Sequence, residues 1–355
     1  MTRVGILGLG TVGSAVARRL IDGVPASQPA LSLTHIFDRR ALQKRAQFAP
    51  YATSTASVTF TDCIDEVLRS DVDVVVETIG GVDPAAGWIR AALLAGKSVV
   101  TANKQVVAHH GASLWRLAAR QGRQLRFEAA VGGAMPIVRA IGDGLAGDRI
   151  TRIDAILNGT TNAVLSLMES TGCSSEQALD AARARGFAEA DPRADLDGDD
   201  AAAKLAILCA LAFGLRVNPA EIARQSTTLI AQREIVDARQ RGGAIRQLAH
   251  AEYDYPSRRL TAWVGPVLVP NASIFARTTG AHNAALIRGE HCGEVGIFGA
   301  GAGGSATAVA VVSDIAAIAR DRAAVVPAPT LSSTFSFVPS SFSRLTSSFS
   351  LLEAV

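Results

Sequence analysis

The sequence predicts an α/β chain: a doubly wound parallel sheet in the first half, followed by an α+β second domain. Three observations carry this. Short Val/Ile-rich runs alternate with Ala/Leu/Arg-rich helical stretches, and the runs show little apolar–polar alternation, as strands covered on both faces should. A glycine turn, Gly8-Leu9-Gly10-Thr11-Val12-Gly13, joins the first run to the first helical stretch. After Met135-Pro136 the rhythm changes to consecutive helices and then consecutive strand-like runs.

Taken in order, residues 4–7 read as the first strand and 12–21 as the first helix. Residues 31–37, 73–77, 98–101 and 124–128 supply the later strands, with helices near 84–95 and 105–121. In the second half a strand at 149–157 precedes helices near 160–170, 174–185 and 199–213. Strand-like runs at 260–269, 284–288 and 294–298 complete a mixed sheet under helices. An Ala/Val/Ile-rich helix at 305–320 is expected to return to the first domain. The expected divisions are 1–135, 136–304, 305–325 for the returning helix, and a tail from 326 to 355. From Pro327 that tail has nine serines, four phenylalanines and no acid before Glu353, which suits a loosely packed appendage and carries no assigned role.

The 355 residues hold ample apolar material for a core, and the net charge of +3 comes without a long basic run. Neither nucleic acid nor an anionic membrane is indicated. The longest nearly unbroken apolar stretch, 205–215, is too short to span a bilayer, and the chain opens into Val4-Gly5-Ile6-Leu7 without a signal-peptide core. Cys63, Cys173, Cys209 and Cys292 are scattered without CxxC spacing. They read as reduced thiols of a cytoplasmic protein, with no zinc site.

The glycine turn fits a Rossmann-type dinucleotide fingerprint. Gly8 allows the tight turn, Gly10 lets backbone approach a pyrophosphate, and Gly13 lets helix and strand pack closely. The helix N-terminus beside Thr11 and Val12 adds free N–H groups and partial positive charge. Asp38 ends the second strand, where a carboxylate would take the ribose 2′-hydroxyl of NAD. Arg39 and Arg40 follow, and arginines there would hold the 2′-phosphate of NADP. Two arginines against one aspartate favour NADP slightly and leave NAD open. Glu77-Thr78-Ile79-Gly80-Gly81 and Thr101-Ala102-Asn103-Lys104 each follow a strand, where open parallel sheets bind ligands. Lys104 is as readily a surface lysine at a helix start. Asn158-Gly159-Thr160-Thr161-Asn162 suits a small carboxylate or amino acid, or equally an N-cap turn. The 298–304 glycine turn, with Gly301, either faces a cofactor or packs a returning helix.

Residues 186–208 stand out. Six carboxylates (Glu189, Asp191, Asp195, Asp197, Asp199, Asp200) precede Lys204 on an otherwise apolar helix. Asp200 and Lys204, four apart, share a helical face and can pair. A solvated acidic loop is the ordinary reading, but charges on a buried helix are rare unless paired or functional.

With these motifs in order, the chain resembles the homoserine dehydrogenase family over about residues 3–321: the GxGxxG start, TANK, Glu-x-x-Val-Gly-Gly-x-x-Pro, NGTTN, the GFAEADPxxDxDGxDAAxKLAIL block and GAGAG. The resemblance implies reversible NAD(P)H-dependent reduction of L-aspartate 4-semialdehyde to L-homoserine, in threonine and methionine biosynthesis. It implies a second domain that is catalytic and dimerising, in a homodimer. Gly159, Thr160, Glu189, Asp195, Asp200 and Lys204 would contact the amino acid, with Lys204 and Lys104 as acid/base groups. Gly8, Gly10, Thr11, Val12 and Asn103 would hold the cofactor. A monovalent cation (Na or K) would sit on Glu128, Val131, Gly133 and Met135. Phe187 stands where many relatives carry tyrosine, which bears on fine specificity. The rival readings are another Rossmann dehydrogenase acting on a related small amino acid or aldehyde, and a non-catalytic NAD(P)-binding relative.

Overall fold

A computed structural model describes residues 1–51, 55, 57–188, 191–324, 326 and 328–338. The chain divides into two compact units. The first holds Met1–Ala134 and Gly303–Thr330; the second holds Met135–Ala302 with the described residues from Leu331.

The first unit is built on six parallel strands: β1 (Thr2–Leu7), β2 (Leu31–Phe37), β3 (Thr59–Thr61), β4 (Val74–Glu77), β5 (Ser98–Thr101) and β6 (Leu125–Arg126). Their order, 3-2-1-4-5-6, reverses direction between β1 and β4. Ligands bind beyond the strand ends at such a switch point. The central strands are apolar and buried because helices cover both faces: Val4, Ile6, Val74 and Val76 share one core with Val16 and Leu20 of the first helix, Thr11–Asp22. The last helix, Gly304–Arg320, adds Val311 and Ile315 to that core and starts tightly against Thr11. Two differences from the sequence reading have physical causes. The three-residue β3 is too short to leave a periodic signal. The strand expected at 124–128 stops early, because the Glu128 amide donates to Asp314 Oδ2 (2.9 Å) instead of continuing the ladder.

The second unit is a mixed sheet of β7 (Ile150–Ile156), β8 (Ala223–Arg224), β9 (Gly243–Asp254), β10 (Arg259–Pro270), β11 (His282–Gly289), β12 (Gly293–Ala300) and β13 (Ser336–Phe337). The order is β12-β11-β7-β9-β10-β13, antiparallel except where β8 and β13 run parallel to β10. Helices Gly159–Thr171, Ser175–Ala184, Asp199–Phe213 and Gln232–Gln240 accompany it. Helix Asp199–Phe213 is buried along nearly its whole length. The sequence reading passed over β9. Its Arg246, Gln247 and His250 interrupt the apolar run of a buried strand, yet each is satisfied within the fold. Arg246, fully buried, reaches Glu169 (2.8 Å) and the carbonyls of Ile245, Phe275 and Ala276; His250 meets Asp154 at 2.7 Å.

Candidate active site

At the switch point of the first unit, β1 runs into Gly8 with φ +99°, a conformation glycine adopts at little cost. A Cβ on Gly13 would lie 1.9 Å from the Gly8 carbonyl oxygen, so helix and turn pack at backbone distance. Gly10 is the opposite case: a Cβ there would meet nothing within 4 Å. Gly10 is also the N-cap of helix Thr11–Asp22 and, being glycine, contributes no side-chain acceptor to the first amides. Open space over uncapped N–H groups is what a pyrophosphate requires. The Thr78 hydroxyl donates to the carbonyls of Leu7 (3.1 Å) and Gly8 (3.0 Å), fixing the turn from the neighbouring strand.

A cavity of about 780 Å³ adjoins this turn and includes Gly8, Gly10, Asp38, Arg39, Arg40 and Thr78 in its lining. Asp38 accepts from the Leu9 amide (2.8 Å), the Arg40 amide (2.9 Å) and the Lys44 ammonium (2.5 Å). Burial alone would raise its carboxyl; Lys44 and the two amides outweigh that and hold it below the ordinary range.

Glu77, fully buried at the end of β4, organises the next loops. It accepts from the amides of Ile79 (2.7 Å) and Gly80 (3.3 Å), the Thr101 hydroxyl (2.5 Å) and the Asn103 amide nitrogen (3.4 Å). Asn103 also donates to the Gly81 carbonyl (2.7 Å) and caps helix Lys104–Arg120 through the Val106 amide. Lys104 is the first residue of that helix.

In the second unit the carboxylate cluster divides. Asn158 caps helix Gly159–Thr171 by accepting from the Thr161 amide (2.8 Å). Its amide nitrogen donates to Asp195 Oδ1 (2.8 Å) and Asp200 Oδ2 (2.9 Å). Lys204 Nζ pairs with Asp200 Oδ2 at 2.8 Å and donates to the Leu157 carbonyl at 2.7 Å. The two side chains are only 13% and 6% exposed. Among the described residues, two of the three ammonium donors are therefore engaged. Burial, reinforced by the Asp200 charge, pushes the Asp195 carboxyl up; hydrogen bonds from Asn158 and Thr160 and the charge of Lys204 only partly offset this. The Thr160 hydroxyl also donates to the Phe187 carbonyl (2.7 Å), and Gly159 sits where a Cβ would come within 3.0 Å of the Ala281 carbonyl oxygen.

The other acids have separate partners. Asp191 pairs with Arg193 (2.5 Å), whose hydrogen bonds bring its carboxyl down to about 2; Asp197 accepts from Ser226 (2.7 Å), and Asp199 pairs with Arg224 (3.0 Å). Glu189 lies outside the described residues. Gly301 belongs to the second unit, where a Cβ would lie 2.1 Å from Asn283 Oδ1, so close packing accounts for that glycine.

Glu128, Val131 and Met135 are buried, and Gly133 takes φ +65°. Among the described residues, no group of three or more His, Cys, Asp or Glu side chains is arranged to hold a metal. On the family resemblance alone, the Glu128 set would offer one carboxylate with backbone carbonyls, hard oxygen donors of the kind an alkali cation takes. Also among the described residues, no helix is long and apolar enough to cross a membrane.

Sequence reasoning missed Asn158, Glu77 and Lys44 as organising groups. Asn158 was visible only as a helix cap, Glu77 as the acid closing an apolar strand. Lys44 gave no signal, because its partner lies six residues away across a turn.

Two family models match the chain: "Homoserine dehydrogenase, NAD binding domain" over residues 8–128 and "Homoserine dehydrogenase" over residues 136–316. The homoserine dehydrogenase of Mycobacterium leprae is 42% identical over 328 residues, covering 90% of this chain and 72% of that protein. That of Synechocystis is 38% identical, covering 88% and 72%. The crystal structure of a homoserine dehydrogenase from Thiobacillus denitrificans superposes with a TM-score of 0.83 at 32% identity, covering 95% of this chain and 79% of that one. A hyperthermophilic archaeal homoserine dehydrogenase in complex with NADPH gives 0.74 at 27% identity, covering 90% and 98%. Glycine fingerprint, parallel sheet, mixed-sheet domain and extended likeness agree: the chain belongs to the homoserine dehydrogenase family of NAD(P)-dependent oxidoreductases.

Proposed function

We propose that Lys204 is the proton donor to the aldehyde oxygen of L-aspartate 4-semialdehyde, and the acceptor from the L-homoserine hydroxyl in reverse. The observation that carries this is the buried array in which Asn158 ties Asp195 to Asp200 and Asp200 pairs with Lys204. When bound, a reduced nicotinamide supplies hydride to the aldehyde carbon. Negative charge then develops on the oxygen, and an ammonium with one donor uncommitted among the described residues is suited to meet it. Asp200 and the Leu157 carbonyl orient Lys204. Asp195 and Glu189 hold the substrate ammonium, with Gly159 and Thr160 beside the amino acid. Lys104 is assigned the second acid/base role on the family resemblance.

For the cofactor, we assign the pyrophosphate to Gly8, Gly10, Thr11, Val12 and Gly13, with Thr78 and Asn103 supporting the adjoining loops. NADP is the preferred form: Arg39 and Arg40 are exposed at the cavity rim, while Asp38 is already engaged. The NADPH in the archaeal relative agrees with this reading. Glu128, Val131, Gly133 and Met135 are assigned to a monovalent cation, and a homodimer follows from the family. Cytoplasmic residence fits four free cysteines, of which buried Cys209 has its thiol pushed up to about 12.

Homoserine oxidation, followed by NADPH absorbance, tests the central assignment. Lys204→Met should lose roughly a hundredfold or more in kcat with unchanged NADP affinity. Near-normal turnover overturns it.

A further inference from the structure

Lys44 is absent from the fingerprint, yet it touches the two elements on which cofactor choice turns. Its ammonium lies 2.5 Å from Asp38 Oδ2 and 3.0 Å from the Leu9 carbonyl, and its side chain is 24% exposed. The same Asp38 oxygen accepts the Leu9 amide, and the other oxygen accepts the Arg40 amide. A carboxylate at the end of the second strand normally reads the ribose 2′-hydroxyl and repels a 2′-phosphate. Here its charge is compensated and its oxygens are partly occupied. Arg39 and Arg40 are exposed, and among the described residues neither side chain has an ion-pair or hydrogen-bond partner. The cavity lining therefore carries three cations, Arg39, Arg40 and Lys44, against two carboxylates, Asp38 and Asp83, and Lys44 is paired with Asp38.

We propose that Lys44 is a specificity-determining residue that acts through Asp38. By neutralising that carboxylate it withdraws the 2′-hydroxyl acceptor and lifts the repulsion that would exclude a 2′-phosphate. The inference rests on the NADP reading above. It separates from a merely structural role, because a lysine that only braced the Leu9 carbonyl would affect both cofactors alike.

The test uses the full chain: wild type, Lys44→Gln, Lys44→Arg, Asp38→Asn and the Lys44→Gln/Asp38→Asn double variant. Dissociation constants for NADP and NAD, and kcat/KM for each with homoserine, are measured. Lys44→Gln should shift the NADP-to-NAD ratio towards NAD by roughly tenfold to a hundredfold, and Lys44→Arg should restore most of it. In the Asp38→Asn background, Lys44→Gln should leave the ratio nearly unmoved. An equal loss for both cofactors overturns the proposal, as does an equally large shift when Asp38 is already Asn. Should Lys44→Gln not fold, Asp38→Asn alone decides: it should keep or strengthen NADP binding, and a loss of NADP preference sinks the coupling. A wild type that prefers NAD overturns the NADP reading, whereas an unmoved ratio in Lys44→Gln overturns the Lys44 assignment alone.

Discussion

Helices Thr11–Asp22 and Gly159–Thr171 each begin just beyond a strand, and their N-termini solve the problem of orphaned amides in opposite ways. Helix Thr11–Asp22 opens on Gly10, which offers no side-chain acceptor and leaves open space above the amides. Helix Gly159–Thr171 opens on Asn158, whose oxygen caps the Thr161 amide and whose nitrogen holds two carboxylates. The first terminus leaves its backbone amides without a side-chain cap; the second spends its backbone capacity internally and arranges charged side chains instead. A site of the first kind should fail when a Cβ is added. A site of the second kind should fail when an amide is removed.

The largest effect is expected at Gly13. A Cβ 1.9 Å from the Gly8 carbonyl cannot be accommodated without moving the helix from the sheet, so Gly13→Val should not give a stably folded first unit, as read by thermal unfolding. Gly10→Ala is the informative partner. Its Cβ meets nothing, so the melting temperature should hold while cofactor affinity falls roughly tenfold or more. Unchanged affinity would mean that the uncapped terminus is not where the pyrophosphate lies.

The second terminus should respond next. Asn158→Ala removes one cap and one shared donor, leaving Asp195 and Asp200 in mutual repulsion with fewer partners. A loss of about 1–3 kcal/mol is the ordinary cost of orphaning a buried polar partner. It should appear in chemical denaturation together with a fall in kcat/KM for homoserine, while NADP affinity stays unchanged. A variant that weakened NADP binding as much as homoserine turnover would break the comparison, because Asn158 would then serve both sites.

How much of this was legible beforehand follows the same division. The fingerprint is local: three glycines between a strand and a helix state their roles by spacing alone, and β1, β2, β4 and β5 lie close to where the apolar runs place them. Asp200 and Lys204 were readable as a pair because a helix brings positions four apart together. The remaining contacts join residues far apart in sequence. Asn158 reaches Asp195 across 37 positions and Asp200 across 42, and Lys204 reaches Leu157 across 47. No spacing rule encodes such contacts. Strand β9 was missed for a related reason: Arg246 and His250 look like surface residues until Glu169 and Asp154 are brought to them by the fold.

The smallest effect is the most specific, and it concerns the pH response of Asp195. Asp195 and Asp200 share one amide, but only Asp200 has the Lys204 ammonium at 2.8 Å. Burial and the neighbouring Asp200 charge accordingly raise the Asp195 carboxyl. A carboxyl raised in the folded state binds its proton more tightly there than in the unfolded chain. Its influence on folding therefore favours the native state below the unfolded value of about 3.9, and that advantage is lost as pH rises through the folded value. Substrate binding runs the other way. If Asp195 takes the substrate ammonium, it must be ionised, so KM for homoserine should climb as pH falls through a value above the ordinary carboxylate range, with release of a proton on binding. Asp195→Asn should raise KM at neutral pH and flatten that acid limb, leaving the cofactor KM unmoved. An acid limb that survives in Asp195→Asn would assign the titration to another group, and Asp195 would keep only its place in the array around Asn158.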